Sequence, residues 1–149
     1  MPVKRERNIN IQALKLGNIK MKSGWFEDSV YPDGTKAAMV AAISEHGTEN
    51  IPPRPIIRPT VEREKNNWKS FIKDGSRRVL NGEIESFSEG FGLQVQGDIQ
   101  ATIAQIQSPE LAESTIKARQ SKLADGKTVG SLDKPLVETG YLLSSVKSK

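Results

Sequence analysis

At 149 residues, 36% hydrophobic and 5% aromatic, the chain has the length of one domain and a core that is thin for it, the usual apolar share being about 45–50%. Zero cysteines and the single His46 exclude a disulfide framework, a thiolate metal site and most imidazole chemistry. The formal net charge is only +4, the start MPVKRERNINIQ has no apolar signal-peptide core, and nowhere do about 18 apolar residues run together, so the chain reads as a soluble protein made in the cytoplasm, without a membrane span.

Residues 1–8 are polar and basic and read as a flexible arm ahead of a single domain over 9–149. Ile19, Met21, Ser23 and Trp25 alternate with Lys20, Lys22 and Gly24, a period of two that predicts a half-buried strand at about 17–28. Tyr31-Pro32-Asp33-Gly34 carries turn chemistry, after which Thr35 can cap an alanine-rich helix over 36–46 that stops at Gly47. Ile51-Pro52-Pro53-Arg54-Pro55-Ile56-Ile57-Arg58-Pro59 holds four prolines and is expected to be neither helix nor central strand.

Thr60 can then cap a helix over 60–81 with Val61, Trp68, Phe71, Ile72 and Val79 on one face. Gly75 interrupts it at a cost of about 1 kcal/mol relative to Ala. Ile84, Phe87, Phe91, Val95, Ile99, Ile103 and Ile106 recur every three or four residues and predict a long amphipathic helix over 83–107. On it Gly90, Gly97 and Ala104 form a small-residue face that either seats another helix or marks a bend. Ser108-Pro109-Glu110 reads as the start of a helix over 109–123, closed by Asp125-Gly126. An exposed loop follows over 126–134, and a compact apolar tail begins at Pro135.

Charge is segregated. From Val79 through Ile116 there are six acids and no Lys or Arg, so the rest of the chain carries all 22 basic residues with 12 acids. Residues 51–78 alone contribute eight cations to three acids. Two readings stand: a head-to-tail or ring-forming subunit that sets a basic patch against a neighbour's acidic one, or the solvated faces of ordinary helices.

Catalytic patterns are missing. Gly126-Lys127-Thr128 lacks the glycine of a phosphate loop, Ser121 standing in its place, and follows a helix instead of a strand. There is no GxSxG and no metal-ligand spacing, so the expectation is a protein that is not an enzyme and uses no cofactor or metal.

Three segments in order carry a more specific pattern: Glu45-His46-Gly47-Thr48, then Ile51 to Pro59, then Lys134-Pro135-Leu136-Val137-Glu138-Thr139-Gly140-Tyr141-Leu142-Leu143-Ser144-Ser145-Val146. This order resembles the tail-completion, or neck, family of tailed bacteriophages and related prophages. Its members show patterns like E-aromatic-G-T, I-P-x-R-P-F-x-R-P and K-P-L-x-D-T-G-x-L-x-x-S-I. The likeness spans about residues 17–146. His46 departs from the aromatic, Ile56 and Ile57 stand where an aromatic is frequent, and Glu138 replaces Asp.

The resemblance implies a structural virion protein, made in the host cytoplasm and located in the neck or tail. It would form a ring, expected to be a hexamer, that joins the finished tail to the head. Its partners would be other copies of itself, the tail terminator or tail tube and the connector proteins, with DNA as a non-specific passenger. Ile51, Pro52, Pro53, Arg54, Pro55, Ile57, Arg58 and Pro59 are the candidate interface, with Arg54 and Arg58 as anchors; the alternative is a rigid loop that braces the fold. Glu45, Gly47, Thr48, Lys134, Pro135, Leu136, Thr139, Gly140, Leu142 and Ser145 are the motif residues, of which Leu136 and Leu142, together with Val146, are expected in the subunit's own core. The acidic helix could line a channel and repel phosphate, or the basic residues could face inward and grip DNA. The alternatives are a tail terminator capping the tail tube and, from another class, a basic DNA-binding accessory protein. The expected fold is α+β, a small, mainly antiparallel sheet packed by several helices, including a long amphipathic pair.

Overall fold

The computed structural model describes residues 20–127, 129–136, 138 and 140–149. It is an α+β fold in which a short β1 (Ser23–Gly24) is followed by α1 (Ala37–His46), α2 (Ile57–Leu80), α3 (Ile84–Gln105), α4 (Glu113–Ala124), α5 (Tyr141–Ser144) and β2 (Lys147–Ser148). The arm over 1–8 lies outside the described residues. The two strands pair antiparallel, Ser23 opposite Ser148 and Gly24 opposite Lys147. Reciprocal bonds from Lys22 N to Lys149 O and from Lys149 N to Lys22 O, each 2.8 Å, extend the clasp.

The strand expected over 17–28 is therefore much shorter. Residues 17–19 fall outside the described set, and β2 offers only two paired residues, so no ladder forms beyond Gly24. Downstream, Ser29 N donates to Phe26 O at 3.0 Å and turns the chain away. The turn at Tyr31–Gly34 forms as its residues dictate: Gly34 N reaches Tyr31 O at 2.9 Å, and Gly34 takes φ 87, a conformation open to glycine. Thr35 does not cap α1. Its own N–H is bound by Asp33 Oδ1 at 2.9 Å, and Lys36 occupies the cap position.

Helices α2 and α3 form an antiparallel hairpin across Asn81–Glu83, fastened from end to end. Thr60 Oγ1 lies 2.6 Å from Thr102 Oγ1, Trp68 Nε1 donates to Asp98 Oδ2 at 2.7 Å, and Arg78 Nε reaches Glu83 Oε2 at 3.0 Å. Near the hairpin turn Phe71, Phe87 and Phe91 cluster with centroids 5.5–6.4 Å apart, a spacing at which aromatic pairs attract. Of the predicted α2 face, Trp68, Phe71 and Val79 are half-buried, whereas Val61 and Ile72 are exposed.

The core is small and centred on α3: Val95, Ile99 and Ile103 meet Ala37 and Ala41 of α1, Ile56, Leu142 of α5 and Val146. The tail residues Leu142 and Val146 are thus fully inside, and Leu136 packs half-buried against them.

The small-residue face is covered only at one end: a Cβ at Gly90 would lie 4.0 Å from Phe71 of α2, whereas Gly97 has open space where a Cβ would stand and Ala104 is exposed, so α2 does not seat along the whole face. The close approaches occur at Gly92, where a Cβ would lie 2.8 Å from Ser148 Oγ, and at Gly75, where it would strike the Phe87 ring at 1.9 Å. Gly92 lets the two-stranded sheet lie on α3, and Gly75 lets α2 admit Phe87.

Helix α4 begins at Glu113, not at 109, because the Pro109 and Glu110 carbonyls accept from Arg54 Nε and Nη2 at 2.8 and 2.9 Å. Its end is as predicted, with Asp125 as C-cap and Gly126 at φ 74.

Helix propensity alone favours Ala over Gly by about 1 kcal/mol at both Gly75 and Gly97. Thermal denaturation separates them: Gly97→Ala raises the melting temperature, whereas Gly75→Ala lowers it, because overpacking against Phe87 costs about 1–3 kcal/mol.

Candidate functional site

The proline-rich segment is positioned by one acid at the end of α1. Glu45 Oε2 accepts from Ile56 N at 2.6 Å and Ile57 N at 2.8 Å, and Oε1 accepts from Arg58 N at 3.2 Å and Arg58 Nε at 3.1 Å. Arg58 Nη2 also donates to the Glu45 carbonyl at 3.2 Å. A helix leaves its first N–H groups without intrahelical partners and carries partial positive charge there. Here the cap position, Ile56, has no capping side chain of its own, and a carboxylate eleven residues upstream does the work.

This corrects the reading of residues 57–59 as non-helical. Ile57, Arg58 and Pro59 form the first turn of α2. A proline is tolerated there because its missing N–H would have had no helical partner. The bias of a pre-proline residue against helix, which applies to Arg58, is outweighed by the bonds to Glu45. Thr60 is consequently not the cap; its Oγ1 donates to Ile56 O at 2.7 Å.

Glu45 is 8% exposed. Burial pushes its carboxyl up, but the Ile56, Ile57 and Arg58 N–H groups and the Arg58 guanidinium together outweigh that and hold it below its ordinary value of 4.5.

The spacer from Gly47 to Pro55 is tightly folded. Gly47 takes φ 72, and a Cβ there would lie 2.8 Å from Ile51 O and 2.9 Å from Pro53 N. Thr48 N donates to Ile51 O at 2.9 Å, and Arg54 N to Ser44 O at 2.7 Å. Arg54 is 8% exposed, with its guanidinium spent on Pro109 and Glu110 of its own chain. Its expected role as an outward anchor is corrected: it points in because two main-chain carbonyls there lack helical partners. Pro55 and Pro59 are half-buried, and Ile51, Pro52, Pro53, Ile57 and Arg58 remain on the surface.

The third motif packs beneath. Pro135 is buried, and Leu136 adopts φ 62. The Lys134 carbonyl accepts from Arg119 Nη1 at 2.8 Å. Gly140 takes φ 71 at the start of α5, while Thr139 lies outside the described residues. Trp25 Nε1 donates to Leu142 O at 2.8 Å, and Ser29 Oγ to Ser145 O at 3.4 Å. Glu138 pairs with Lys122 and lies 3.9 Å from Arg119 Nε. Arg119, only 4% exposed, carries a structural role the sequence did not signal, since it sits in a polar helix among other cations.

Part of the charge segregation closes within the chain, where Arg78 pairs with Glu83 at 3.0 Å; Arg63 of α2 meets only neutral groups on α3, Thr102 Oγ1 at 3.1 Å and Gln105 Oε1 at 3.3 Å. Lys65, Lys69, Lys73 and Arg77 remain exposed on the outer face of α2, as do Glu85 and Glu89 on α3. Among the described residues no cluster of acids or imidazole could hold a metal ion, and no helix is long and apolar enough to cross a membrane. Comparison with family models, curated proteins and solved structures gives no match.

A carboxyl held below its ordinary pKa adds stability that is fully present above 4.5 and is lost as pH falls through the lowered value. Glu45→Gln therefore costs about 1–2 kcal/mol at neutral pH. In denaturant titrations the gap between the two proteins narrows as pH drops below 4.5.

Proposed function

We propose that the chain is a structural subunit of a tailed-bacteriophage virion, forming a ring in the neck that completes the tail and joins it to the head. The observation that carries this reading is the interlocking of the three segments on which the family resemblance rests. Glu45 of the first binds the main chain of the second at Ile56, Ile57 and Arg58. Leu142 and Val146 of the third share one core with Ala37, Ala41 and Ile56. The three segments make one structural unit, as segments that form one family motif would.

In this reading the outward edge Ile51-Pro52-Pro53, with Ile57 and Arg58, is the contact for a neighbour. Proline-fixed backbone has little conformational freedom left to lose on docking, and Arg54 and Glu45 brace it from inside. The exposed cations Lys65, Lys69, Lys73 and Arg77, four residues apart along α2, favour the second reading, a basic DNA-binding accessory protein.

A phage lacking this protein should accumulate filled heads and separate tails in electron micrographs; joined particles would overturn the assignment. In gel-shift titrations the structural subunit leaves DNA unshifted at moderate salt. Tight binding with a steep salt dependence would favour the accessory protein.

A further inference from the structure

One edge of the α2–α3 hairpin is apolar and, among the described residues, uncovered. Ile72 is 48% exposed, Leu80 55% and Leu93 64%. A cleft of about 590 Å³ opens between Ile72 and Leu80 on α2 and Phe87 and Phe91 on α3, with Met21 at its border. Met21 also borders a second cleft of about 340 Å³ beside Glu89 and Leu93. Apolar surface of this kind marks an interaction site.

The chain itself supplies a matching occupant. Nineteen residues precede Lys20, the first described residue and the neighbour of Met21. They include Ile9, Ile11, Leu14, Leu16 and Ile19. Met21 and Trp25 both pack against the core, so the chain enters the described fold from the side of the cleft that Met21 borders. Eleven extended residues reach about 36 Å, ample for the roughly 18 Å of helix between Trp68 and Leu80 at 1.5 Å per residue. Charge agrees: Lys4, Arg5, Arg7 and Lys15 against the single Glu6 precede a helix, α3, that has no Lys or Arg and exposes Glu85 and Glu89. A tethered segment also acts at an effective concentration of order millimolar, which favours the same chain over a second copy.

We propose that residues 9–19 of the same chain dock in the cleft between α2 and α3, with the basic residues 4–7 set beside Glu85 and Glu89. The proposal is independent of the virion assignment. Docking covers the apolar edge, so the hairpin is completed by sequence that precedes β1.

The absence of native cysteine makes the test direct. Ile11→Cys, Leu14→Cys and Leu16→Cys are each combined with Ile72→Cys in the full chain, oxidised at several protein concentrations, and mapped by non-reducing electrophoresis and peptide mass. The expected result is an intrachain disulfide in at least one pair, independent of concentration. Interchain disulfides that rise with concentration would overturn the proposal in favour of a second copy. No disulfide in any pair, with helical circular dichroism unchanged, would overturn it outright. As a second measurement, Ile11→Asp with Leu16→Asp in the full chain should raise binding of an apolar fluorescent dye several-fold without loss of helix; unchanged dye binding would contradict the docking.

Discussion

The carboxylate of Glu45 is the constraint on which the arrangement of this chain depends. It closes the C-terminal turn of α1 onto the N-terminal turn of α2 by accepting from three consecutive main-chain N–H groups and a guanidinium. Charge-assisted bonds of this kind are roughly twice as strong as neutral ones. Removal of the charge from a nearly buried site would leave those donors without an equivalent acceptor. The direction of α2 follows from that junction, and with it the placement of α3, which α2 contacts along its length. Ile56, whose N–H is one of the bonded groups, is also a fully buried core residue, so the polar cap and the hydrophobic core are fixed by the same residue.

From this junction the remaining structure is built on α3. Gly92 admits the β1–β2 clasp, Gly75 of α2 admits Phe87, and Val95, Ile99 and Ile103 supply the largest share of the core from any one element. Arg54 and Arg119 replace what a larger core would do elsewhere. Each is nearly buried and bonds main-chain carbonyls of a distant segment, Pro109 and Glu110 in one case and Ser131 and Lys134 in the other. A chain that is only 36% hydrophobic thus ties its loops with guanidinium groups, whose several fixed donors suit adjacent carbonyls.

The helices were largely legible in the sequence because apolar spacing and glycine stops are local signals. The pattern from Ile84 to Ile106 gives α3 nearly to its observed ends, and Gly47 and Asp125-Gly126 end α1 and α4 as expected. Two of the failures share a cause: each depended on a partner remote in the chain. Pro59 looked like a helix breaker because Glu45, which stabilises the turn around it, is far upstream. Ser108-Pro109 looked like a helix start because nothing local announces that Arg54 takes the next carbonyls. In the candidate site the prolines mark the extended stretch up to Pro55, while Ile57, Arg58 and Pro59 join α2. The inward direction of Arg54 was not legible, since a buried and an exposed arginine look the same in a sequence.

The most direct test of the central role of Glu45 is its carboxyl titration followed by carbon-13 nuclear magnetic resonance, together with the amide shifts of Ile56, Ile57 and Arg58. A midpoint below 4.5 is expected, with all three amides moving on the same curve. A midpoint at or above the ordinary value, with amides that do not respond, would contradict that role.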